Sequence, residues 1–313
     1  MSALHGLLLV KKPQNISSHD VVSYARRALK TKAIGHTGTL DPLATGLMVL
    51  VLGEGTKLSD YILNGDKAYR VKVRFGITTD SMDITGNPLS TTECHLKPAE
   101  VKQAAESLVG SFLWEVPLHS AIKVDGKKMY DFAHKGDAPL EIPKRMMNFN
   151  KVETIEVGEK HYIGQIDCSK GSYIRVWAHQ LGAMLNCGGV VEELRRTHSA
   201  PYSDEFALDM ENLGQEHSSQ SPAWQKAFVP ISRVLPDWKM VTVSGKDERL
   251  IHNGQISFDL QRRLISEEKL AYSQNKKIGI KVLSAESGHL LAIIEAEPQK
   301  GLKIRRVFRT TPE

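Results

Sequence analysis

Cysteine is scarce in this chain: Cys94, Cys168 and Cys187 are its three, and no two form a Cys-x-x-Cys pair. That count and spacing disfavour a disulfide framework and a cysteine-based zinc site. Long apolar runs are missing too, and no stretch approaches the ~18 residues that suggest a membrane helix. The first ten residues, MSALHGLLLV, are apolar only briefly and precede Lys11 and Lys12. A signal peptide carries its positive charge first. No GxGxxG, Walker A, HExxH or GxSxG motif occurs, so nucleotide-loop, zinc-protease and serine-hydrolase chemistry have no foothold. The 12 histidines show no metal-cluster spacing. The expectation is a cytoplasmic chain with no membrane span, no metal and no cofactor.

The chain has enough residues for a sizeable core. It has 313 residues, 41% apolar and 25% charged, which points to a folded chain of one large domain, or a large and a small one. Lys plus Arg number 41 against 36 Asp plus Glu, a net charge of +5. That mild basic bias suits a polyanionic partner without proving one. Residues 6–10 (GLLLV) read as a buried strand ended by Lys12-Pro13. Ser17 and Ser18 begin a helix running to about Leu29. AYRVKVRFG (68–76) alternates, with Tyr69, Val71, Val73 and Phe75 on one face. Pro98 opens a helix over 99–109. Residues 162–186 read as strand, turn at Lys170-Gly171, short strand and helix, stopped by Gly188-Gly189. No βαβ repeat appears, so the fold class is α+β: a mixed, mainly antiparallel sheet with helices over 1–235. Polar residues 211–224 read as a loop. Residues 236–313 form a small β-rich domain, with strands expected at KMVTV, QISF, IGIKVLS, HLLAIIEA and KIRRVF. KGLKIRRVFR (300–309) carries five cations and no acid. It reads either as a protected edge strand or as a phosphate contact.

Between the first helix and the next apolar strand lies GHTGTLDPLATG (35–46), whose only charged side chain is Asp41. An Asp-Pro pair is an ordinary turn device. In a glycine-rich loop running straight into LMVLVLG, a lone carboxylate is also a candidate reactive group, because glycines let backbone approach a ligand.

Six motifs taken together resemble the bacterial TruB family of tRNA pseudouridine synthases. They are LLLVKKPQNISSHDVV (7–22), GHTGTLDPLATG (35–46), DKAYRVKVRFG (66–76), TTDSMDITG (78–86), CSKGSYIRVWAHQLG (168–182) and ELRRTHS (193–199). They keep order over most of residues 6–200. The resemblance implies a pseudouridine-synthase catalytic domain followed by a PUA-like RNA-binding domain. It implies formation of pseudouridine at position 55 in the tRNA T-loop, without metal or cofactor. Asp41 matches the essential aspartate. Tyr69 matches the tyrosine that stacks on the flipped base and is the proposed acceptor of the C5 proton. Arg175 matches the arginine that pairs with the aspartate. Leu194 matches an apolar wall of the uracil pocket, Lys12 a lysine near the entrance that helps hold structure, and His36 a histidine at the disrupted T-loop stack. The implied partner is the T-arm stem-loop of tRNA, with the chain a monomer needing no obligate protein partner.

The chemistry agrees with these assignments. Uracil moves from an N1–C1′ to a C5–C1′ link, and no group enters or leaves overall. An ionised carboxylate can trap or generate the intermediate, whether it attacks C1′, attacks C6 or abstracts a sugar proton. An arginine keeps it ionised and oriented. The tyrosine stacks or takes the C5 proton. A base inside a folded loop must be flipped out, at a cost of a few kcal/mol. His134 and His161 read as surface residues, and His198, beside Arg195 and Arg196, faces RNA or does nothing. The chain also departs from the family pattern. VPLHSAIKVDGKKMY (116–130) has Val116 for the first proline and His119 for the usual aromatic, and Lys11 stands where an acid is common. Two other readings compete: an RNA chaperone that opens and refolds tRNA, and a synthase acting on another structured RNA.

Overall fold

The computed structural model describes residues 4–120, 122–124, 127–129, 142–214 and 221–309. Its elements begin with β1 (Gly6–Lys12), α1 (Ser18–Ala28), β2 (Ile34–His36), β3 (Thr45–Leu52), α2 (Ser59–Leu63) and β4 (Lys67–Phe75). Next come β5 (Ile77–Thr79), β6 (Pro88–Thr91), α3 (Pro98–Ser107), β7 (Gly110–Glu115), β8 (Lys123–Val124) and β9 (Lys127–Lys128). β10 (Lys144–Val157), β11 (His161–Cys168), α4 (Ile174–Met184), β12 (Gly189–Ser199), β13 (Tyr202–Ser203) and β14 (Leu208–Asp209) follow. After α5 (Pro222–Ala227) and β15 (Phe228–Pro230), the last part holds β16 (Lys239–Val243), α6 (Gly245–His252), α7 (Phe258–Arg263) and α8 (Ile265–Gln274). β17 (Ile278–Ser284), β18 (Leu290–Glu297) and β19 (Gly301–Val307) complete it.

The apolar run of β1 lies inside the main sheet, paired antiparallel to β3 with Leu8 opposite Leu50. The sheet runs β14-β1-β3-β12-β4-β11-β10-β7, with β2, β13 and β15 attached at its sides. Among the described residues only β1/β14 and β3/β12 pair parallel in it, so the sheet is mainly antiparallel. The alternation of β4 places Val71, Val73 and Phe75 in the core and leaves Arg70 and Arg74 exposed. Ser17 caps α1 in a capping box with Asp20, each accepting from the other's backbone N–H.

The second sheet runs β16-β17-β18-β19, giving the smaller β-rich domain expected from the C-terminal sequence. Its own core gathers Val243, Ile251, Leu260, Leu264, Ile280 and Val282. Leu290, Ile293 and Phe308 join the core of the main sheet instead. The sequence reading missed three helices here. QISF is not a strand: the Ser257 hydroxyl accepts from Leu260 N at 3.0 Å and starts α7. A cap bond decides locally against a four-residue alternation too short to hold a strand.

Other boundaries also differ. No strand separates Gly171 from α4, since Tyr173 enters the helix directly. The chain leaves α4 through Leu185 and a left-handed Asn186 at φ 54°, before Gly188. In 211–224, Ser221 caps α5, and 215–220 lie outside the described residues. His134 lies outside them as well. β19 is an edge strand, as one reading of 300–309 held. The acids that this segment lacks are supplied by β18: Arg305 pairs with Glu295 at 2.7 Å and with Glu297.

Candidate active site

Asp41 opens a β-turn closed by Ala44 N–H donating to the Asp41 carbonyl at 3.0 Å. Proline at the second position presets φ for that turn. The turn is tied down on both sides. The Ser18 hydroxyl donates to Leu40 O at 3.0 Å and accepts from Leu40 N at 2.8 Å. The Pro42 carbonyl accepts from Asn15 N at 2.8 Å and Lys12 Nζ at 3.0 Å. Thr37, almost wholly buried, donates through its backbone to Val49 O at 3.0 Å. Gly46 serves packing and not ligand approach: a Cβ there would meet the Arg196 carbonyl at 2.3 Å.

The turn aims Asp41 at a guanidinium. Arg175, in the first turn of α4, places Nε 2.8 Å from Asp41 Oδ2 and Nη2 3.2 Å from Oδ1. Its remaining donors reach Ser81 O at 2.9 Å and His119 O at 2.8 Å. The Arg175 side chain is 4% exposed and that of Asp41 36%. The arginine is therefore structure, while the carboxylate keeps a face to solvent. That face opens on a cleft of about 1260 Å³ whose wall includes His36, Asp41, Tyr69, His119, Arg175 and Leu194. It exceeds the roughly 300–1,000 Å³ of a small-molecule site.

Comparison with known proteins is decisive. Residues 26–174 match the model described as the TruB family pseudouridylate synthase N-terminal domain, and 175–235 that of the tRNA pseudouridylate synthase B C-terminal domain. The chain belongs to the TruB family. The tRNA pseudouridine synthase B of Bdellovibrio bacteriovorus is 47% identical over 306 residues, 97% of each chain. That of Alkaliphilus oremlandii is 32% identical over 310 residues, 97% of this chain and 99% of its own. A chain in the structure of an H/ACA RNP bound to a substrate RNA containing 2′-deoxyuridine superposes with a TM-score of 0.70 at 17% identity. The match covers 97% of this chain and 85% of that one, a likeness of fold. As a TruB-family member the chain is an enzyme, a pseudouridine synthase that acts on tRNA.

The TruB fold brings six of the seven candidate residues to this cleft, His119 among them although it lies outside the six motifs. Lys12 stands apart, at 1% exposure. It holds Pro13 O and Pro42 O behind the turn and borders a separate cavity of about 490 Å³. Burial pushes its pKa down to about 8, opposed by the Asp41 and Asp20 carboxylates. Tyr69 is packed against the core. Burial raises its pKa, against the pull of the Arg196 guanidinium, which also hydrogen-bonds to it. The phenol therefore keeps its proton at neutral pH. The His36 pKa is lowered by burial and then by Arg196 and His19, so its imidazole is neutral there.

Sequence reasoning missed Arg196 and Lys67 in this TruB cleft. Arg196 is 1% exposed and donates to Leu47 O at 2.7 Å and Gly38 O at 3.2 Å. Lys67 donates to Leu63 O at 2.7 Å and to Gly65 O. Burial, then Arg196, brings its pKa down to about 8. Both were legible by alternation: Arg196 shares a face with Leu194, and Lys67 with Tyr69. His198 is exposed and contacts Thr197, and His161 pairs with Glu156 at 3.0 Å. Among the described residues no group of three or more His, Cys, Asp or Glu is arranged to hold a metal, and no helix is long and apolar enough to cross a membrane.

Proposed function

We propose that this cleft converts uridine to pseudouridine at position 55 of the tRNA T-loop, with Asp41 as the essential carboxylate acting on a flipped-out nucleotide. The observation that carries the reading is the two-pronged hold of buried Arg175 on a solvent-facing Asp41 at the wall of an open cleft. A paired guanidinium fixes the direction of the carboxylate, which is what a group that must meet one sugar or base carbon requires.

In this reading Tyr69 stacks on the extruded uracil and Leu194 packs beside it. The N1–C1′ bond breaks, the base turns, and C5 bonds to C1′. The C5 proton leaves and N1 gains one, so atoms balance without a co-reactant. Tyr69, hydrogen-bonded by Arg196, can take that proton only as a relay, its own hydroxyl proton passing to water as the C5 proton arrives. Neutral His36, at the cleft wall, fills the space left by the displaced base, and His119 takes the place of the family's aromatic beneath the loop. Lys12 supports the turn from behind. The chain works in the cytoplasm as a monomer, without metal or cofactor.

Asp41→Asn tests this. Turnover of unmodified tRNA should fall on the order of 10⁴-fold, the scale of removing one essential carboxylate from a catalytic set. The Kd for tRNA should stay within about threefold, since affinity is spread over many phosphates. A chaperone would keep its activity in this variant. Normal pseudouridine formation by it would remove Asp41 from the chemistry.

A further inference from the structure

α2 is one short turn, yet it touches both sheets. On one side Tyr61 rests on the C-terminal domain. Its ring meets Trp238 edge-on, centroids 5.0 Å apart at 84°, and its hydroxyl donates to Glu295 Oε1 at 3.0 Å. Burial and the Glu295 carboxylate push the Tyr61 pKa up to about 12, so it remains a donor. The seat itself is firm. Glu295 is held by Arg305 at 2.7 Å and Lys277 at 3.5 Å. Trp238 lies across Gly279, where a Cβ would meet the indole at 2.2 Å. Lys281, on the same strand, donates to Ser232 O at 3.1 Å and Val234 O at 2.9 Å, pinning the connecting chain.

The other end of α2 is part of the cleft. Leu63 and Asn64 line it. The carbonyls of Leu63 and Gly65 hold the Lys67 ammonium, and Asn64 Oδ1 accepts from Lys170 Nζ at 2.7 Å. Lys67 stands two residues before Tyr69 on β4, on the same face. Tyr61 and Leu63 share one helical turn, with buried Ile62 between them. Moving Tyr61 moves the groups that brace Lys67 and the cleft rim.

We propose that Tyr61 is a positioning residue for the reaction, transmitting the seat of the C-terminal sheet through α2 to the cleft wall that carries Lys67 and Tyr69. The second domain then sets the geometry of the catalytic site as well as offering surface to RNA. This rests on the proposed function of the cleft.

The test compares Tyr61→Phe, Tyr61→Ala and Gly279→Ala with wild type in the full chain, measuring kcat, KM and Tm on unmodified tRNA. Tyr61→Phe keeps the ring on Trp238 and should keep Tm, while kcat falls severalfold. In Tyr61→Ala and Gly279→Ala, kcat should fall about tenfold, short of the ~100-fold that a 1 Å misplacement can cost, with KM nearly unchanged. Gly279→Ala changes nothing in the cleft, so a kcat loss there reports the relay. A raised KM with unchanged kcat in all three would mean docking alone. A lowered Tm with unchanged kcat would mean stability alone. Either result overturns the inference. Tyr61→Phe, lacking one hydroxyl, keeps the test decisive if the other two fold poorly. Wild type silent on tRNA would instead overturn the functional reading beneath it.

Discussion

At the scale of single residues, the site divides into groups held fixed and groups left to act. Arg175 spends its donors on Asp41 and two carbonyls, whereas Tyr69 presents a protonated phenol beside them. Tyr69→Phe keeps the ring and loses the oxygen. Its single-turnover rate should drop on the order of 10²-fold, the lower range for removing a positioned proton acceptor, with tRNA binding retained. Near-wild-type rates in both Tyr69→Phe and Tyr69→Leu would remove both of its roles. His36 gives a pH prediction. Its folded pKa lies below the ordinary 6.5 through burial and Arg196, so the unfolded chain takes up the proton first as pH falls. Stability from this site is whole above pH 6.5 and is lost on acidification toward the folded pKa. Urea unfolding near neutrality and at about pH 5.5 should show wild type losing more stability than His36→Gln. Equal losses would contradict a buried neutral imidazole. Asp41 was legible because it is the one charge in its loop. Alternation puts Arg196 and Lys67 on the faces of Leu194 and Tyr69, but their burial was not legible, because a cation on a strand reads as a solvated side chain until the sheet that buries it is known.

At the scale of elements, the turn that carries Asp41 depends on α1. The Ser18 hydroxyl clasps both backbone groups of Leu40 and is buried at 3% exposure. Ser18→Ala leaves two buried groups without that partner. It should cost about 1–3 kcal/mol and lower kcat more than it raises KM, because Asp41 loosens while the RNA-facing surface stays. Urea unfolding with steady-state kinetics checks it, and full activity at reduced stability would separate the clasp from the chemistry. Elements with strong local signals were readable: the apolar run of β1, the alternation of β4, the Ser17 cap. QISF failed because its alternation was shorter than the cap signal inside it. The helices α6 and α8 were missed because the strands around them dominated the pattern. The partners of Arg305 come from β18, and cross-strand register is not written in either strand alone.

At the scale of the whole molecule, the two sheets share a core through Leu290, Ile293 and Phe308, and α2 bridges them beside the cleft. Docking between the sheets is decided by surfaces that no local pattern reveals. The net charge of +5 is small, and Arg305 is committed to internal acids. Arg145 and Lys170 line the cleft, and Lys300, Lys303, Arg306 and Arg309 stay exposed on the C-terminal segment. The most direct measurement is to map pseudouridine at nucleotide resolution in an unmodified tRNA transcript incubated with wild type or Asp41→Asn, with no cofactor added. The expected result is pseudouridine at position 55 with wild type and none with Asp41→Asn. Product at another uridine, no product with wild type, or equal product from the two chains would contradict the assignment of this cleft to the T-loop.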